Sequence, residues 1–488
     1  MYSKQYVFSY LLVIVLIVAC VPSTSTDSLT NITTDTPPNS TSQSPGDITP
    51  EIEGDLNSST LQANNNLSTT QFSPRPLQEL PDNHIGVHTE GFDRYSEATE
   101  DVMANGFKRL RIQSLTLFGE DEGFGVKTFL LDSIPPEVDE VINNYINNGV
   151  MISLDLWLGT GYPINFTEYD TTYKSEEEID AYLKYVELIV RHFKDRISSY
   201  EILNEPGYIS TETYANLIKK TVPVIQEIDP EATIIIGSTP GSWENGFPGY
   251  GQYQRFELSV DILNNLLESG VVNMVDAISW HPFYDNIPSD PSYQNYPQTV
   301  QAIKDLATSQ GFSGEYFADE ILWRTVAEEG FTCGPPLSHM IAAKYYTRAI
   351  TEHRGLGLNV TINIFFQSPF LAPIHNTNDI LAGAEPTDMA LSLLTDEVAN
   401  IRYYAFNLPN GDKLVALWTN DEAVEDDPGL STTLTFPQSS VEKATGIDVF
   451  SGLEQELIIE NENGDLVIPD LLVKDYPIFI RFEGMSNP

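Results

Sequence analysis

The sequence predicts an α/β protein in which a (β/α)8 TIM barrel is followed by a small antiparallel β-sandwich domain. Between residues 80 and 395, short apolar runs alternate with longer stretches of helical periodicity, and eight of each are present. After residue 396 the helical periodicity ends, and short strand-like runs alternate with Asn-Gly and Ser-Gly turns. The change of pattern places the barrel at 77–395 and the sandwich at 396–488.

The predicted barrel strands are short runs rich in β-branched and aromatic residues, at 85–89, 109–113, 150–156, 199–203, 233–237, 277–281, 316–320 and 360–366. The predicted helices lie at 96–105, 137–148, 176–193, 212–228, 260–269, 298–309, 339–352 and 387–395. An open doubly wound sheet would also fit this alternation. Eight full units without a glycine-rich phosphate turn favour a closed barrel.

The predicted sandwich strands lie at 413–419, 432–436, 446–450, 456–460 and 476–482. The end of the linker that precedes the barrel is a candidate for one more strand.

The N-terminus has the pattern of a targeting segment. An almost unbroken apolar run at 7–19 is too short to span a bilayer comfortably. It ends in Ile-Val-Ala-Cys20, which resembles the lipobox of bacterial lipoproteins. The resemblance implies that residues 1–19 are a signal peptide and that Cys20 carries a lipid, so the protein is exported and anchored to the bacterial membrane at the cell surface. An ordinary signal peptide that contains a cysteine is the alternative.

Residues 20–76 are predicted to form a disordered tether. They are rich in Ser, Thr, Asn and Pro, and no Lys or Arg occurs between Lys4 and Arg75. Such a segment buries too little apolar surface to offset its chain entropy.

The charge balance excludes one class of partner. The chain has 25 basic and 70 acidic residues, a formal net charge of −45, and the acidic residues are spread along its length. A nucleic-acid groove is therefore not expected. Only Cys333 remains once Cys20 is modified, so no internal disulfide is expected. The sequence does not indicate an oligomeric state.

The working side chains of such a barrel lie at the C-terminal ends of its strands. This rule selects six candidates: Arg111 on strand two, Asn204 and Glu205 after strand four, His281 and Tyr284 after strand six, and Glu320 on strand seven.

Two carboxyl groups that face one cavity suit the hydrolysis of a glycosidic bond. A protonated carboxyl delivers a proton to the leaving oxygen, and an ionised carboxylate attacks the anomeric carbon or activates water. Arg111 and Tyr284 are suitable partners for keeping Glu320 ionised, which leaves Glu205 as the proton carrier. We therefore expect a glycosidase with a carbohydrate substrate.

These residues resemble the active site of the retaining glycoside hydrolases of clan A, especially the barrel-plus-sandwich members akin to families 39, 5 and 30. The resemblance covers the chain from about residue 80 and implies cleavage of extracellular oligo- or polysaccharides by double displacement. It implies that Glu205 is the acid/base, Glu320 the nucleophile and Asn204 a donor to the sugar 2-hydroxyl. It also implies that His281 and Tyr284 line the sugar pocket and that Arg111 lies beneath the nucleophile.

The chain departs from that pattern at three strand ends. Phe283 stands where many members have the tyrosine, which comes one residue later as Tyr284. No tryptophan occurs at 365–368 after strand eight, and no histidine follows Trp157 after strand three. These departures concern the substrate more than the mechanism.

Each candidate also has a purely structural interpretation. Glu205 could be a carboxylate after a turn, His281 a packed histidine, and Arg111 a partner for barrel carboxylates. Glu320 competes with Asp319 and Glu315, because a strand is easily misregistered by one residue.

Four tryptophans near strand ends could stack on sugars or belong to the core: Trp157, Trp243, Trp280 and Trp323. Of these we assign Trp323 to substrate binding.

No cofactor is expected. The seven histidines show no metal-ligand spacing, and no Gly-x-Ser-x-Gly motif is present. The alternative function is a non-catalytic carbohydrate-binding or adhesion lipoprotein that uses the same barrel. The presence of both carboxylates argues against it.

Overall fold

Eight parallel strands form a closed barrel in the computed structural model. The structure describes residues 60–62, 67–89, 99, 102–113, 134, 136–157, 172–239, 259–325, 336–363, 371–395 and 400–485. The barrel strands are β1 Ile85–Thr89, β2 Arg109–Ile112, β3 Met151–Asp155, β4 Ser199–Glu201, β5 Thr233–Thr239, β6 Ala277–Trp280, β7 Glu315–Ala318 and β8 Asn359–Asn363. Pairing of β8 with β1, with Val360 opposite Ile85, closes the barrel. The predicted fold class is confirmed.

The described helices lie around the barrel or close to it. They are α1 Pro136–Asn147, α2 Glu176–Phe193, α3 Thr211–Ile228, α4 Ser259–Glu268, α5 Pro291–Gln294, α6 Tyr296–Ser309, α7 His339–Gly355 and α8 Leu371–Ile380. The predicted start of α2 is seen in detail: the Ser175 side chain accepts from the Glu178 N–H, and the Glu178 side chain accepts from the Ser175 N–H. Among these helices none is both long and apolar enough to cross a membrane.

The C-terminal region is a sandwich of two antiparallel sheets. Its strands are β9 Glu385–Thr387, β10 Ser392–Thr395, β11 Ile401–Asn407, β12 Lys413–Thr419, β13 Leu430–Phe436, β14 Lys443–Asp448, β15 Leu453–Glu456, β16 Glu460–Glu462, β17 Asp465–Val473 and β18 Ile478–Glu483. One sheet holds β10, β13, β17 and β16. The other holds the remaining six strands and a strand from the N-terminal linker, Thr69–Gln71.

The last predicted helix, 387–395, is replaced by strands β9 and β10. Met389, Leu391 and Leu393 pack against the core, whereas Leu394 is 71% exposed. Every second residue from 389 to 393 therefore packs against the core, a periodicity that a strand produces and a helix does not. The sandwich accordingly takes in residues from 385 onward, before the predicted boundary at 396.

Helix α8 was not predicted, because its sequence is rich in Asn, Thr and Asp and contains Pro373. Its polar side chains are buried and bonded to other elements. Asn376 donates to the Val449 carbonyl, Asn378 donates to the Asn105 carbonyl, and Asp379 accepts from Arg75. Tertiary hydrogen bonds thus stabilise a helix that local propensity does not favour.

The end of the predicted tether is part of the folded sandwich. Thr69–Gln71 pairs with β15 at the edge of one sheet. Further upstream, Leu61 is 1% exposed, and the Gln62 amide donates to the carbonyls of Ile458 and Pro469. The remaining predicted segments, the signal at 1–19 and most of the tether, lie outside the described residues.

A chain that starts at residue 77 should therefore be less stable than one that starts at residue 60. In the longer form, Leu61→Ala should lower the free energy of unfolding by about 2–4 kcal/mol, because it leaves a cavity in the sandwich. The matched control is Leu67→Ala, which removes a leucine that is 43% exposed and should change stability by less than about 0.5 kcal/mol. Thermal unfolding of the four proteins tests this, and equal melting temperatures for the two starting points would contradict it.

Candidate active site

Arg111 lies at the centre of a buried polar cluster at the C-terminal ends of the barrel strands. It is 2% exposed, and five side chains from other strand ends surround its guanidinium. Nε donates to Glu201 Oε2 at 2.9 Å, and NH1 donates to Glu320 Oε2 at 3.1 Å. NH2 lies 2.9 Å from Asp155 Oδ2, 2.9 Å from Asn204 Oδ1 and 3.1 Å from Ser238 Oγ. One side chain on β2 thus positions groups from four other strands.

The acids of this cluster differ in pKa because they share one cation. Burial raises the pKa of Asp155 and of Asp319, and the neighbouring carboxylate of Glu201 raises both further. Burial also raises the pKa of Glu201, but the charge of Arg111 and hydrogen bonds from Asp155, Asp319 and Ser279 outweigh it, so this pKa falls below its usual range. Glu201 is therefore a permanent anion beneath the site.

Glu320 lies two residues after the end of β7. Burial raises its pKa, but the charges of His281, His88 and Arg111 outweigh burial and bring it down to about 2. His281 Nδ1 is 3.8 Å and His88 Nε2 is 3.7 Å from Glu320 Oε2. Glu320 is thus ionised over the whole range in which an enzyme works, as a nucleophile requires.

Glu205 has a different environment. Its side chain is 33% exposed, and its Oε1 accepts from the Tyr284 hydroxyl at 2.8 Å. The ring of His281 contacts the same oxygen through Nδ1 at 3.0 Å. Burial raises the pKa of Tyr284 well above its usual value, so this hydroxyl stays protonated and donates. Glu205 can therefore reach a bound substrate while two polar groups hold it in place.

The distance between the two carboxyl groups is limited by His281. Its Nδ1 is 3.0 Å from Glu205 Oε1 and 3.8 Å from Glu320 Oε2, so these oxygens are at most 6.8 Å apart, the two distances laid end to end. Retaining glycosidases hold their carboxyl groups about 5 to 5.5 Å apart and inverting ones about 6.5 to 9.5 Å apart. The two carboxyl groups thus contact the same imidazole ring, close enough to act on one bond.

Asn204 and His281 are linked through Ser238 at the end of β5. Ser238 Oγ is 3.2 Å from Asn204 Oδ1 and 3.0 Å from His281 Nε2. Because Asn204 Oδ1 also accepts from Arg111, its Nδ2 is the end that can donate to a ligand.

The structure brings together six of the predicted site residues. They are Arg111, Asn204, Glu205, His281, Tyr284 and Glu320.

Trp323 lies apart from them. Its side chain is 0% exposed, its Nε1 donates to the Asn286 carbonyl, and its ring packs on Phe283, Tyr345 and Tyr346. No ring face is therefore open to a sugar, and the residue belongs to the core. Cys20 and residues 365–368 lie outside the described residues.

Five residues of the cluster were not assigned from the sequence: His88, Asp155, Glu201, Ser238 and Asp319. Asp155 and Glu201 face each other as the last residues of β3 and β4. For Asp155 and Glu201 the available signal was a charged residue at the end of an apolar run. The sequence contains no comparable signal for Ser238 and His88. Among the described residues no group of His, Cys, Asp and Glu could hold a metal ion, and Arg111 is the cation of the cluster.

Removal of the guanidinium should destabilise the barrel. Arg111→Met leaves buried carboxylates without a cation and should cost about 3–5 kcal/mol at about pH 7. The charges of His281, His88 and Arg111 together hold the pKa of Glu320 at about 2, below its ordinary 4.5, so the stability that Arg111 gains through Glu320 is complete above pH 4.5 and is lost as pH falls towards 2. The difference in free energy of unfolding between the variant and the wild type, measured by urea unfolding, should therefore become smaller as the pH falls from about 5 to about 3.

The matched control is Arg109→Met on the same strand. Arg109 NH2 lies 2.7 Å from Asp82 Oδ2, and these side chains are 21% and 29% exposed, so its loss should cost at most about 1 kcal/mol. An equal loss of unfolding free energy in the two variants would contradict this account of the cluster. A loss in Arg111→Met that does not change with pH would contradict it as well.

Comparisons with known proteins agree with this geometry. Residues 83–264 match the family model described as Cellulase (glycosyl hydrolase family 5). The matched segment contains Asn204 and Glu205 and ends before Glu320. No curated protein matches the chain.

Solved structures share the fold at low sequence identity. The chain is similar to a family 39 glycoside hydrolase from the gut symbiont Bacteroides cellulosilyticus WH2, with 17% identity over 83% of this chain and 82% of that chain and a TM-score of 0.56. It is also similar to the catalytic domain of GH30 xylanase C from Talaromyces cellulolyticus, with 12% identity over 86% and 98% of the two chains and a TM-score of 0.50. A third similar structure is CelM2, a bifunctional glucanase-xylanase from a metagenome library, with 10% identity over 86% and 98% and a TM-score of 0.51. With the family match and the paired carboxylates, the chain is a glycosidase.

Proposed function

We propose that this glycosidase acts with net retention on extracellular oligo- or polysaccharides, with Glu320 as nucleophile and Glu205 as acid/base. The observation that carries the proposal is the limit of 6.8 Å that His281 sets on the distance between their nearest contact oxygens. This limit admits the separation of about 5 to 5.5 Å between carboxyl groups that retaining glycosidases have.

In the first step, the Glu320 carboxylate attacks the anomeric carbon while Glu205 gives its proton to the leaving oxygen. Arg111 NH1 holds the attacking carboxylate by a 3.1 Å contact to Oε2. In the second step, Glu205 takes a proton from water, which displaces the sugar from Glu320. Tyr284 and His281 hold Glu205 in place during both steps. Asn204 Nδ2 donates to the sugar hydroxyl beside the reacting carbon.

Removal of the nucleophile tests the mechanism. A screen of aryl glycosides and polysaccharides first identifies a hydrolysed substrate. Glu320→Ala should lower kcat on it by about 10³-fold or more, and azide should partly restore turnover and give a glycosyl azide of inverted configuration. Glu315→Ala, at the start of the same strand and therefore at the opposite end of the barrel from Glu320, is the matched control and should retain activity.

The wild type should give a first product with the anomeric configuration of the substrate, which proton NMR measures directly. An inverted first product would overturn the retaining mechanism. Full activity in Glu320→Ala would overturn the assignment of the nucleophile.

We further infer that the enzyme is a lipoprotein held at the cell surface through Cys20. The lipobox-like Ile-Val-Ala-Cys20 supports this. The first described contact with the sandwich, at Leu61 and Gln62, comes about 40 residues after Cys20, a chain length that allows the fold to lie away from the membrane.

Cell fractionation tests the anchor. In a bacterial host the wild type should partition with membranes and incorporate labelled palmitate, whereas Cys20→Ser should do neither. Cys333→Ser is the matched control and should behave as the wild type. Membrane partition of Cys20→Ser without label would indicate an uncleaved apolar segment and would contradict lipidation.

A further inference from the structure

Asp319, the residue before the proposed nucleophile, has a role in neither step described above. It is 3% exposed, and neither of its oxygens accepts a hydrogen bond from the described residues. Arg111 Nε lies 3.8 Å from Oδ2, and His281 Nε2 lies 3.4 Å from Oδ1. A buried carboxylate with so few donors is unfavourable, whereas a protonated carboxyl can donate to Glu201.

The charges of the cluster require a proton at this position. One guanidinium faces four carboxyl groups whose side chains are at most 12% exposed, so complete ionisation would place four negative charges around one permanent cation in the core. Asp155, Glu201 and Glu320 are hydrogen-bonded to Arg111, and Asp319 is not. Burial and the Glu201 carboxylate raise the pKa of Asp319, which agrees with a protonated group.

A cavity joins Asp319 to the opposite end of the barrel. Its volume is about 230 Å³, and it extends from Arg109 and Glu315, at the starts of β2 and β7, to Arg111 and Asp319. Hydroxyl side chains such as Ser153, Ser199 and Thr361 line it, where bulky branched residues commonly fill a barrel. At about 30 Å³ per water, it has room for several waters that can accept a proton.

We propose that Asp319 is a charge-compensating residue, which releases its proton into this cavity when Glu320 becomes esterified and takes it back when the ester is hydrolysed. The inference rests on the proposed covalent mechanism. Esterification removes the negative charge of Glu320 from beside Arg111 NH1, and ionisation of Asp319 replaces that charge beside Nε of the same guanidinium.

The step balances. The bond between the anomeric carbon and the leaving oxygen breaks, its electron pair leaves with that oxygen, and a bond from the anomeric carbon to Glu320 forms. The O–H bond of Asp319 breaks, its electron pair stays on the carboxylate, and the proton passes to water. The charged and titratable groups that face Asp319 are Arg111 from β2, Asp155 from β3, Glu201 from β4, His281 after β6, Tyr296 from α6 and Glu320.

A proton count during trapping of the glycosyl-enzyme tests this. The probe is the 2,4-dinitrophenyl 2-deoxy-2-fluoro glycoside of the sugar that the aryl glycoside screen identifies. Its leaving group departs as an anion at neutral pH, so trapping neither produces nor consumes a proton by itself. The background variant is Glu205→Gln, since this leaving group needs no acid and the substitution removes the proton of Glu205 from the count.

In a weakly buffered solution with a pH indicator at about pH 7, Glu205→Gln should release up to about one proton per dinitrophenolate, with the same time course. Glu205→Gln/Asp319→Asn should release dinitrophenolate without the proton. The matched control is Glu205→Gln/Asp155→Asn, because Asp155 is also buried and its pKa is also raised by burial, but it is hydrogen-bonded to Arg111. It should still release the proton. Glu205→Gln/Glu320→Ala corrects for spontaneous hydrolysis of the probe.

The outcomes separate the two proposals. Failure of the wild type to be trapped, although it hydrolyses the parent glycoside, overturns the retaining mechanism. Trapping without proton release in Glu205→Gln, or release that is lost with Asp155→Asn and kept with Asp319→Asn, overturns the role of Asp319. If the Asp319 variant does not fold, infrared difference spectra of Glu205→Gln labelled with ¹³C-aspartate provide the test. The difference spectrum should show the loss of one protonated aspartic acid on trapping, and a spectrum without such a loss would overturn the proposal.

Discussion

The buried guanidinium of Arg111 is the interaction on which the site depends. Carboxyl groups from three other strands converge in the barrel core, and their desolvation would be prohibitive without a cation at hydrogen-bonding distance. The planar fork of an arginine carries five N–H donors and a lysine only three, so an arginine is better suited to contact this many groups at once. The same contacts orient Glu320 and Asn204, so the cluster that stabilises the core also positions the nucleophile and the amide.

The two proposed catalytic carboxyl groups have different environments because Glu320 belongs to the Arg111 cluster and Glu205 lies outside it. Glu320 touches Arg111 and is held as an anion, whereas Glu205 lies beyond it, one-third exposed and bonded to the hydroxyl of Tyr284. Two residues of the same type thus take opposite roles through their surroundings. Asp319 lies beside Arg111 Nε, whereas Glu320 contacts NH1, so in the proposed mechanism this third carboxyl responds to the charge of Glu320 without contacting the substrate.

Much of the barrel could be predicted from the sequence, because each buried parallel strand is a continuous apolar run between helical repeats. The candidate site residues could be predicted as well, because the working side chains of such a barrel lie at the C-terminal ends of its strands. Tyr284 shows why spacing alone was insufficient. It comes one residue later than in many relatives, yet Phe283 and Tyr284 pair with Ile321 and Leu322 as an extra strand that turns its hydroxyl towards Glu205. Only the tertiary pairing determines that direction.

Burial also could not be predicted at single residues. Trp323 follows the strand that carries Glu320, as a sugar-stacking ring would, but the hydroxyl of Tyr346 contacts its backbone and three aromatic rings cover its side chain. Conversely, Asp155 and Glu201 end apolar runs and are fully buried, because Arg111 reaches them from one strand and two strands away, respectively. The sequence shows which residues are charged, but the register between strands determines which of them lie in contact.

Backbone strain at neighbouring strand ends is the remaining constraint on Glu205. Leu203, Glu205 and Ser238 all have positive φ values, 65°, 44° and 45°, although none is a glycine. Each such residue costs about 1–3 kcal/mol, and it persists only where its surroundings enforce it. Here the Glu205 N–H donates to the Ser238 carbonyl, and the Ser238 side chain bonds Asn204. The alternation of backbone conformation lets consecutive side chains point apart, Asn204 towards Arg111 and Glu205 towards Tyr284. The stability of the barrel, and of the Arg111 cluster within it, therefore supports the strained turn that presents the acid/base to the substrate.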